Sequence, residues 1–285
     1  MMNKKVSVAR LSILSNSGLI IMKIVVGLLS GSVSIISEAI HSFMDLLASL
    51  VAFFSVRISD TPADERHPYG HGKFENISGV VEALLIFVAA FWIIYEAVKK
   101  IIEPTKVEQI GFGVVVMLVS AVVNILVSRK LYRVAKETDS VALEADALHL
   151  KTDVYTSFGV AAGLLLMWFS GIHLFDPIIA IFVALLILKE SYELFSKAYA
   201  PLLDLALPSH DVSHIAAIIQ KHCTNEMSFH NLRTRKAGNY KYIDFHLNLD
   251  PNKTVREAHV ICDQIEENIK SEFDHSEVTI HVENF

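Results

Sequence analysis

Two copies of one polar motif interrupt an otherwise apolar part of the chain. The segments EAIHSFMD (38–45) and DALHLKTD (146–153) share the pattern acid-Ala-aliphatic-His-x-x-x-Asp. In each copy the histidine precedes the aspartate by four residues, so on a helix the imidazole and the carboxylate are neighbours on one face. If the two helices face each other, two nitrogens and two oxygens converge, which suits a tetrahedral divalent transition metal such as zinc. The predicted ligands are His41, Asp45, His149 and Asp153.

The cost of placing these groups in a membrane supports a shared cation. An ionisable residue at the centre of a bilayer costs about 2.5–3.5 kcal/mol on insertion scales, and a bound dication offsets this cost. The motif contains no cysteine, which argues against copper(I). The alternative is that each His and Asp pairs within its own helix or with Lys23 or Lys151. Glu38 and Asp146, three residues before each histidine, are either acids near the metal or groups solvated in a cavity.

The elements that must position the motif are predicted to be membrane spans. The chain is 52% hydrophobic and 20% charged, with a mean hydropathy of +0.43. A span needs about 20 largely apolar residues. Six segments meet this length, at 11–30, 33–57, 77–99, 109–131, 141–170 and 175–198. The first segment resembles a secretory signal, but Asn16 and Lys23 interrupt it and further apolar segments follow, so we expect a retained helix.

Basic residues in the loops predict the orientation of the spans. Ten of them fall on the side that holds the amino terminus, and three, Lys99, Lys100 and Lys106, fall on the other. We therefore expect both termini in the cytoplasm of a protein that crosses the cell membrane several times. Two cysteines are too few for a disulfide framework and fit a reduced cytosolic tail. A net charge of −6 gives no indication of nucleic-acid binding.

The polar tail is predicted to fold as a small α+β domain. Its order is helix (209–222), strand (227–236), strand (240–250), helix (254–273) and strand (276–285). The segment AGN between the first two strands indicates a hairpin. Thr254, followed three residues later by Glu257, is typical of a helix N-terminus. The αββαβ order predicts a small sheet with two helices on one face.

With these motifs, the sequence resembles the cation diffusion facilitator family, in particular its bacterial YiiP-like (FieF-like) zinc and iron efflux branch. The resemblance covers nearly the whole chain. It implies a six-helix transmembrane transport domain (1–207) and a cytoplasmic ferredoxin-like domain (208–285) that binds metal and dimerises. It also implies a homodimer that exports divalent metal in exchange for protons, and no enzymatic activity. YiiP-like members often carry Asp where this chain has His41, and the added nitrogen favours zinc and argues against iron. Cd²⁺, Fe²⁺, Mn²⁺ and Co²⁺ are the further candidate metals.

The resemblance implies two more metal sites. Asp64, His67 and His71 match the family's loop site, in a segment bent by Pro68 and Gly70, although a solvated loop is the alternative. The family's cytoplasmic two-metal site corresponds to His230, His246, His259, His281 and Glu283. Strand alternation independently places His281 and Glu283 together on the polar face of the last strand.

Two other functions use the same residues. An intramembrane metal-dependent hydrolase would keep an open metal position for water, usually with three protein ligands. The chain instead offers four ligands symmetrically and has no HExxH motif. A membrane-anchored metal sensor would use only the tail, and an anchor would not need the motif twice. Efflux of a divalent cation, foremost Zn²⁺, across a lipid membrane is therefore the expected function.

Overall fold

The computed structural model describes residues 4–30, 33–103, 111–170, 174–223 and 227–284, except the side chains at 27, 30, 33–41, 44, 111–117, 160–165, 167–170 and 176. The chain divides into two compact units, Met1–Tyr199 and Ala200–Phe285. The first unit contains helices and no strand within the described residues. Its helices are α1 (Lys4–Ser30), α2 (Val33–Ser59), α3 (Lys73–Ile102), α4 (Gly111–Thr138), α5 (Val141–Ser170) and α6 (Phe175–Tyr199).

The surface of the first unit is rich in apolar side chains. Leu28, Val88 and Trp92 are 70%, 67% and 63% exposed. An apolar surface of this kind is expected where lipid rather than water surrounds the helices. Within the described residues, the segments Lys4–Val26 and Lys73–Ile102 are long and apolar enough to cross a membrane by length and composition.

Helix α5 is the central element of this unit because it belongs to two buried clusters. One cluster joins α5 to α1, α2 and α4 through Val8, Val56, Leu131, Leu143 and Leu150. The other joins α5 to α3 and α6 through Ala83, Ile86, Leu148, Ile187 and Leu194. Gly79 allows the close approach on this side, because a Cβ atom there would lie 2.8 Å from Val141 and 3.0 Å from Ala198. Packing on both sides fixes the position of α5.

A buried ion pair, which we call the Glu75 cluster, joins the ends of four elements. Nζ of Lys5 on α1 is 2.8 Å from Oε1 of Glu75 on α3, and these two residues are 4% and 0% exposed. Ser59 at the end of α2 donates to the same oxygen at 2.9 Å. Ser140, just before α5, donates to the other oxygen of Glu75. Helix α1 begins at Lys4 rather than at residue 11, so Lys5 lies on it and reaches this cluster.

The second unit has the predicted αββαβ order, after a 3-10 turn at Ala200–Leu203. Its elements are α7 (Ser209–His222), β1 (Ser228–Ala237), β2 (Tyr240–Leu249), α8 (Val255–Glu272) and β3 (Ser276–Asn284). Strand β2 lies in the middle, antiparallel to β1 and parallel to β3. Strands β1 and β2 are joined by a turn in which Gly238 has a φ of 62°, a left-handed conformation that glycine adopts without strain. The predicted capping of α8 is confirmed, because Thr254 and Glu257 form a reciprocal capping box.

The core of the second unit lies between the sheet and its two helices. It is formed by Ile215 and Ile219 of α7, Ile265 and Ile269 of α8, and Ile243, Phe245 and Leu247 of β2. The residues of β2 that alternate with these three therefore point away from the helices. His246 is one of them and is half-buried. Val282 of β3 lies between His281 and Glu283 in the chain and is 41% exposed. The buried alternation places the histidines on the face of the sheet opposite the helices.

Candidate metal centres

Helices α2 and α5 bring three of the four motif ligands together. Asp45 on α2 and His149 and Asp153 on α5 each offer one donor atom, and these atoms lie within 4.8 Å of one another. Nε2 of His149 is 3.0 Å from Oδ1 of Asp45. His41 is on α2, one turn before Asp45, but its side chain is outside the described residues. Its place in this cluster stays a prediction.

The cluster lies inside the unit among polar side chains. The side chains of His149 and Asp45 are 13% and 8% exposed. Asn16 on α1 donates to Ser49 at 2.7 Å and lies 3.4 Å from the backbone oxygen of Asp45. These polar groups line the candidate metal centre, whereas the outer surface of the domain is apolar.

Lys151 and Lys23, the alternative partners of the motif, both contact other polar side chains. Lys151 donates to both oxygens of Glu190 on α6 at 3.0 Å, so its ammonium group is engaged on the α6 side. Lys23 donates to Ser42 on α2 at 2.7 Å. Asp146 is fully buried and accepts a hydrogen bond from Ser49 at 3.0 Å. The side chain of Glu38 lies outside the described residues.

The loop between α2 and α3 forms the second cluster. Donor atoms of Asp64, His67 and His71 lie within 4.8 Å of one another. Nδ1 of His67 is 3.2 Å and Nε2 of His71 is 3.4 Å from the carboxylate of Asp64. The chain turns at Gly70, which has a φ of 78° and donates its backbone N–H to the carbonyl of His67 at 2.9 Å. The turn brings His71 back to the start of the loop.

Backbone hydrogen bonds prepare the Asp64 carboxylate for a cation. The backbone N–H of His67 donates to Oδ1 at 2.6 Å, and that of Arg66 donates to the same oxygen at 2.9 Å. These bonds, that of His67 foremost, lower the pKa of Asp64 below its ordinary value. The lowered pKa keeps the carboxyl group of Asp64 ionised near neutral pH, as a metal ligand must be.

The third cluster lies on the open face of the tail sheet. Strand pairing places His230 of β1 opposite His246 of β2, and His246 opposite His281 of β3. Three imidazoles thus form one row across the sheet. Nδ1 of His246 is 2.9 Å and Nε2 of His230 is 3.4 Å from the carboxylate of Glu283. One donor atom from each of His230, His246 and Glu283 lies within 4.8 Å of the other two.

The remaining two predicted ligands of the tail are placed differently. His281 lies beside the cluster, with Nε2 3.5 Å from Glu283 and its ring centroid 4.9 Å from that of His246. His259 is on α8, where its side chain is 76% exposed and its Nε2 is 3.7 Å from Asp263 on the same helix. The structure brings four of the five predicted residues to one place, and His259 is outside that group.

Sequence reasoning missed the buried acids of α3. Glu75 and Glu82 are both 0% exposed. They are seven residues apart, which is close to two helical turns, so they share one face of α3. That spacing, inside an apolar segment, is the signal that could have indicated an inward-facing acidic stripe.

Comparison with known families decides the identity of the two units. Residues 9–203 match the family model of the cation efflux transmembrane domain, and residues 207–285 match that of the cytoplasmic domain of cation efflux proteins. The chain belongs to the cation efflux, or cation diffusion facilitator, family. This cation efflux protein is a membrane protein with a cytoplasmic domain, which confirms the expected class.

Individual relatives agree with the family. The cation-efflux pump FieF of Shewanella oneidensis is 33% identical over 273 residues, which are 96% of this chain and 92% of that protein. FieF of Klebsiella pneumoniae is 33% identical over 265 residues, 93% of this chain and 88% of that protein. A Synechocystis protein named "uncharacterized transporter sll1263" is 35% identical over 255 residues, 90% of this chain and 82% of that protein.

These relatives place the chain on the FieF-like side of the cation efflux family. They are transporters rather than enzymes, which confirms the expectation that the chain has no enzymatic activity and makes the hydrolase interpretation wrong. The family supports efflux of a divalent metal. The metal clusters described above give that activity candidate binding positions.

Proposed function

We propose that this cation efflux protein exports Zn²⁺ from the cytoplasm in exchange for protons. In this proposal α1–α6 are six membrane spans and both termini are cytoplasmic. The transport domain is 1–207, and a ferredoxin-like domain (208–285) binds metal and holds a homodimer together. The transport site consists of His41, Asp45, His149 and Asp153, with Cd²⁺, Fe²⁺, Mn²⁺ and Co²⁺ as competing metals.

One observation carries the proposal. Three donor atoms from two separate helices lie within 4.8 Å of one another in the interior of the transmembrane domain. Nitrogen and carboxylate oxygen suit a borderline divalent ion such as zinc, whereas a monovalent soft ion prefers sulfur. Because α2 and α5 each supply part of the site, a relative movement of the two helices changes metal affinity. That dependence is what alternating access requires.

The contact between His149 and Asp45 supports exchange with protons. Nε2 and Oδ1 are 3.0 Å apart, which is a hydrogen bond and requires a proton between them. A metal bound to the same two atoms takes the place of this proton. A proton leaves the site when His149 is first protonated on both ring nitrogens, because ligating histidines are neutral and ligating aspartates are ionised. Protons from the outside can then release the metal, and deprotonation on the cytoplasmic side lets the site bind metal again.

The clusters in the loop and tail are proposed as further zinc sites. Asp64, His67 and His71 provide a site near the cytoplasmic ends of α2 and α3. In the tail, His230, His246, His281 and Glu283 provide the donors, with His259 joining after a change of its side-chain position. Bound metal there stabilises the dimer or senses the cytoplasmic metal level.

The test is zinc flux in proteoliposomes under a pH gradient. Asp153→Asn keeps the size of the side chain and removes the charged ligand, and we expect it to abolish zinc uptake. Glu193→Gln is the matched control, because it makes the same chemical change at a residue whose side chain is 66% exposed on α6. Wild-type flux in Asp153→Asn contradicts the assigned site. Wild-type flux that is unaffected by the pH gradient contradicts proton exchange.

A further inference from the structure

Two histidines of the tail lie outside the metal clusters described above. His210 and His214 are on α7, four residues apart, so their imidazoles are neighbours on one face of the helix. Their ring centroids are 6.4 Å apart. The side chains are 89% and 42% exposed, on a face of α7 other than the one that carries the core residues Ile215 and Ile219. Two histidines at this spacing on a helix can bind one zinc ion together.

A carboxylate from a second helix reaches the same place. Glu272 is the last residue of α8, and its Oε2 atom is 3.1 Å from Nε2 of His214. Glu272 follows Ile265 and Ile269 by seven and three residues, so it lies on the stripe of α8 that enters the core shared with α7. The two imidazoles and the carboxylate therefore come from two helices that pack in one core.

The core holds the ring of His214 toward Glu272. Phe273, next to Glu272 in the chain, is 8% exposed and belongs to the core of the tail. Its ring contacts that of His214 with a centroid distance of 5.5 Å and an interplanar angle of 60°. His214 and Glu272 are thus already in contact, and rotation of the exposed side chain of His210 between its rotamers brings the third donor to them.

Charges at the two helix ends favour a cation between these residues. The carboxyl-terminal end of α8, where Glu272 lies, carries a partial negative charge that stabilises a nearby cation. The amino-terminal end of α7 carries the opposite partial charge, but Asp211 lies in that first turn. Oδ1 of Asp211 is 3.5 Å from Nδ1 of His210 and offsets the unfavourable end of the helix.

We propose that His210, His214 and Glu272 form a further binding site for a divalent cation, foremost Zn²⁺, which joins the start of α7 to the end of α8. Imidazole nitrogen and carboxylate oxygen suit zinc, and three protein ligands leave the fourth position of a tetrahedral ion to water. Because the ligands are exposed, the metal exchanges directly with the solution around the tail. The site binds zinc whether or not the protein transports it, so this inference does not depend on the proposed function.

The test is calorimetric titration of the full-length protein in detergent with Zn²⁺. A background protein first lacks ligands in the three clusters described above, through the substitutions Asp64→Asn, Asp153→Asn, His246→Gln and Glu283→Gln. The loss of even an outer partner of a metal ligand costs about 10–100-fold in affinity. We therefore expect each of His210→Gln, His214→Gln and Glu272→Gln, added to this background, to weaken the binding of one zinc ion per protomer at least about 10-fold. Residual binding at the other clusters is the same in every variant and cancels in the comparison.

The matched control is His222→Gln, the same chemical change at the other end of α7. Nε2 of His222 is 2.8 Å from Nδ2 of Asn268 on α8, so this residue also joins the two helices but without a carboxylate. We expect the control to bind zinc with the affinity of the background protein.

Hydrogen exchange of the background protein gives a second readout that does not depend on how the variants at the site fold. Zinc should slow the exchange of amides at the start of α7, from Val212 onward, and at the end of α8 together, because the ion connects them. A metal held by α7 alone would protect only that helix. The inference is overturned if any of the three glutamine variants binds zinc as the background protein does, or if zinc leaves the end of α8 unprotected.

Discussion

Replacing Glu75 with glutamine should destabilise the transmembrane domain measurably. The change keeps the size of the side chain but removes the carboxylate that faces Lys5 at 2.8 Å. Lys5 is 4% exposed, so its ammonium group cannot be resolvated by water without local opening. Breaking a buried ion pair by removing one partner costs about 3–5 kcal/mol. Asp60 remains 3.3 Å from Lys5 and compensates in part, so we expect the lower end of that range.

The expected loss corresponds to a clear shift in melting temperature. For a domain of about 150–250 residues, 1 kcal/mol shifts the melting temperature by about 2–4 °C. A loss of about 3 kcal/mol therefore lowers it by about 6–12 °C. Thermal unfolding in detergent is followed at one fixed scan rate, because membrane proteins seldom refold after heating. Glu193→Gln, at an exposed position of α6, should leave the transition within about 1 °C of wild type.

A double variant separates the loss of charge pairing from any loss of packing. In Lys5→Met/Glu75→Gln no buried charge lacks a partner, so it should be more stable than Glu75→Gln alone. A melting temperature of Glu75→Gln within about 2 °C of wild type would show that the Glu75 cluster does not stabilise the domain. A double variant less stable than either single variant would refute the explanation by charge pairing.

Two further predictions concern the tail. Glu283 contacts three histidines of the sheet, so Glu283→Gln should weaken zinc binding by the tail about 100-fold. The affinity is measured by calorimetry on a protein that also carries Asp64→Asn and Asp153→Asn, which remove ligands of the other two sites. An unchanged affinity would exclude Glu283 as a ligand. The backbone N–H of Thr254 donates to Glu257 and lowers the pKa of that carboxyl group below its ordinary 4.5. The capping box therefore stabilises α8 above pH 4.5, and this stabilisation is lost as the pH falls through the lowered pKa. Hydrogen exchange of the first turn of α8 should detect this pH dependence, and Glu257→Gln should abolish it.

Local spacing predicted the parts of the site that lie on one element. The four-residue interval of His149 and Asp153 was enough to place both on one face of α5, because helix geometry is fixed. Strand alternation likewise anticipated that His281 and Glu283 share a face of β3. The hairpin and the capping box followed from residues only two or three positions apart. In each case the sequence distance is short and the backbone conformation determines the geometry.

Contacts between distant elements could not be predicted in this way. Lys5 and Glu75 are seventy residues apart in the sequence. A charged residue considered by itself is expected to face water, so neither one indicates a buried pair. Lys151, an alternative partner for the motif, turns to Glu190 on α6 because α5 has a second packed side. The family resemblance assigned His259 to the tail site, but it lies on an exposed face of α8, where its Nε2 atom is 3.7 Å from Asp263. The register that aligns His230 with His246 depends on an irregularity of the ladder between His230 and Arg233.

Helix α5 packs in two buried clusters and α2 in one of them, so the two helices of the proposed transport site are held to different degrees. His149 and Asp153 are on α5, which is packed on two sides, so the distance between them stays the same when helices of the domain move as rigid bodies. Asp45, with the predicted ligand His41 one turn before it, is on a different helix, α2. We expect states of high and low affinity for the ion to differ chiefly in the distance between the ligands on α2 and the pair on α5.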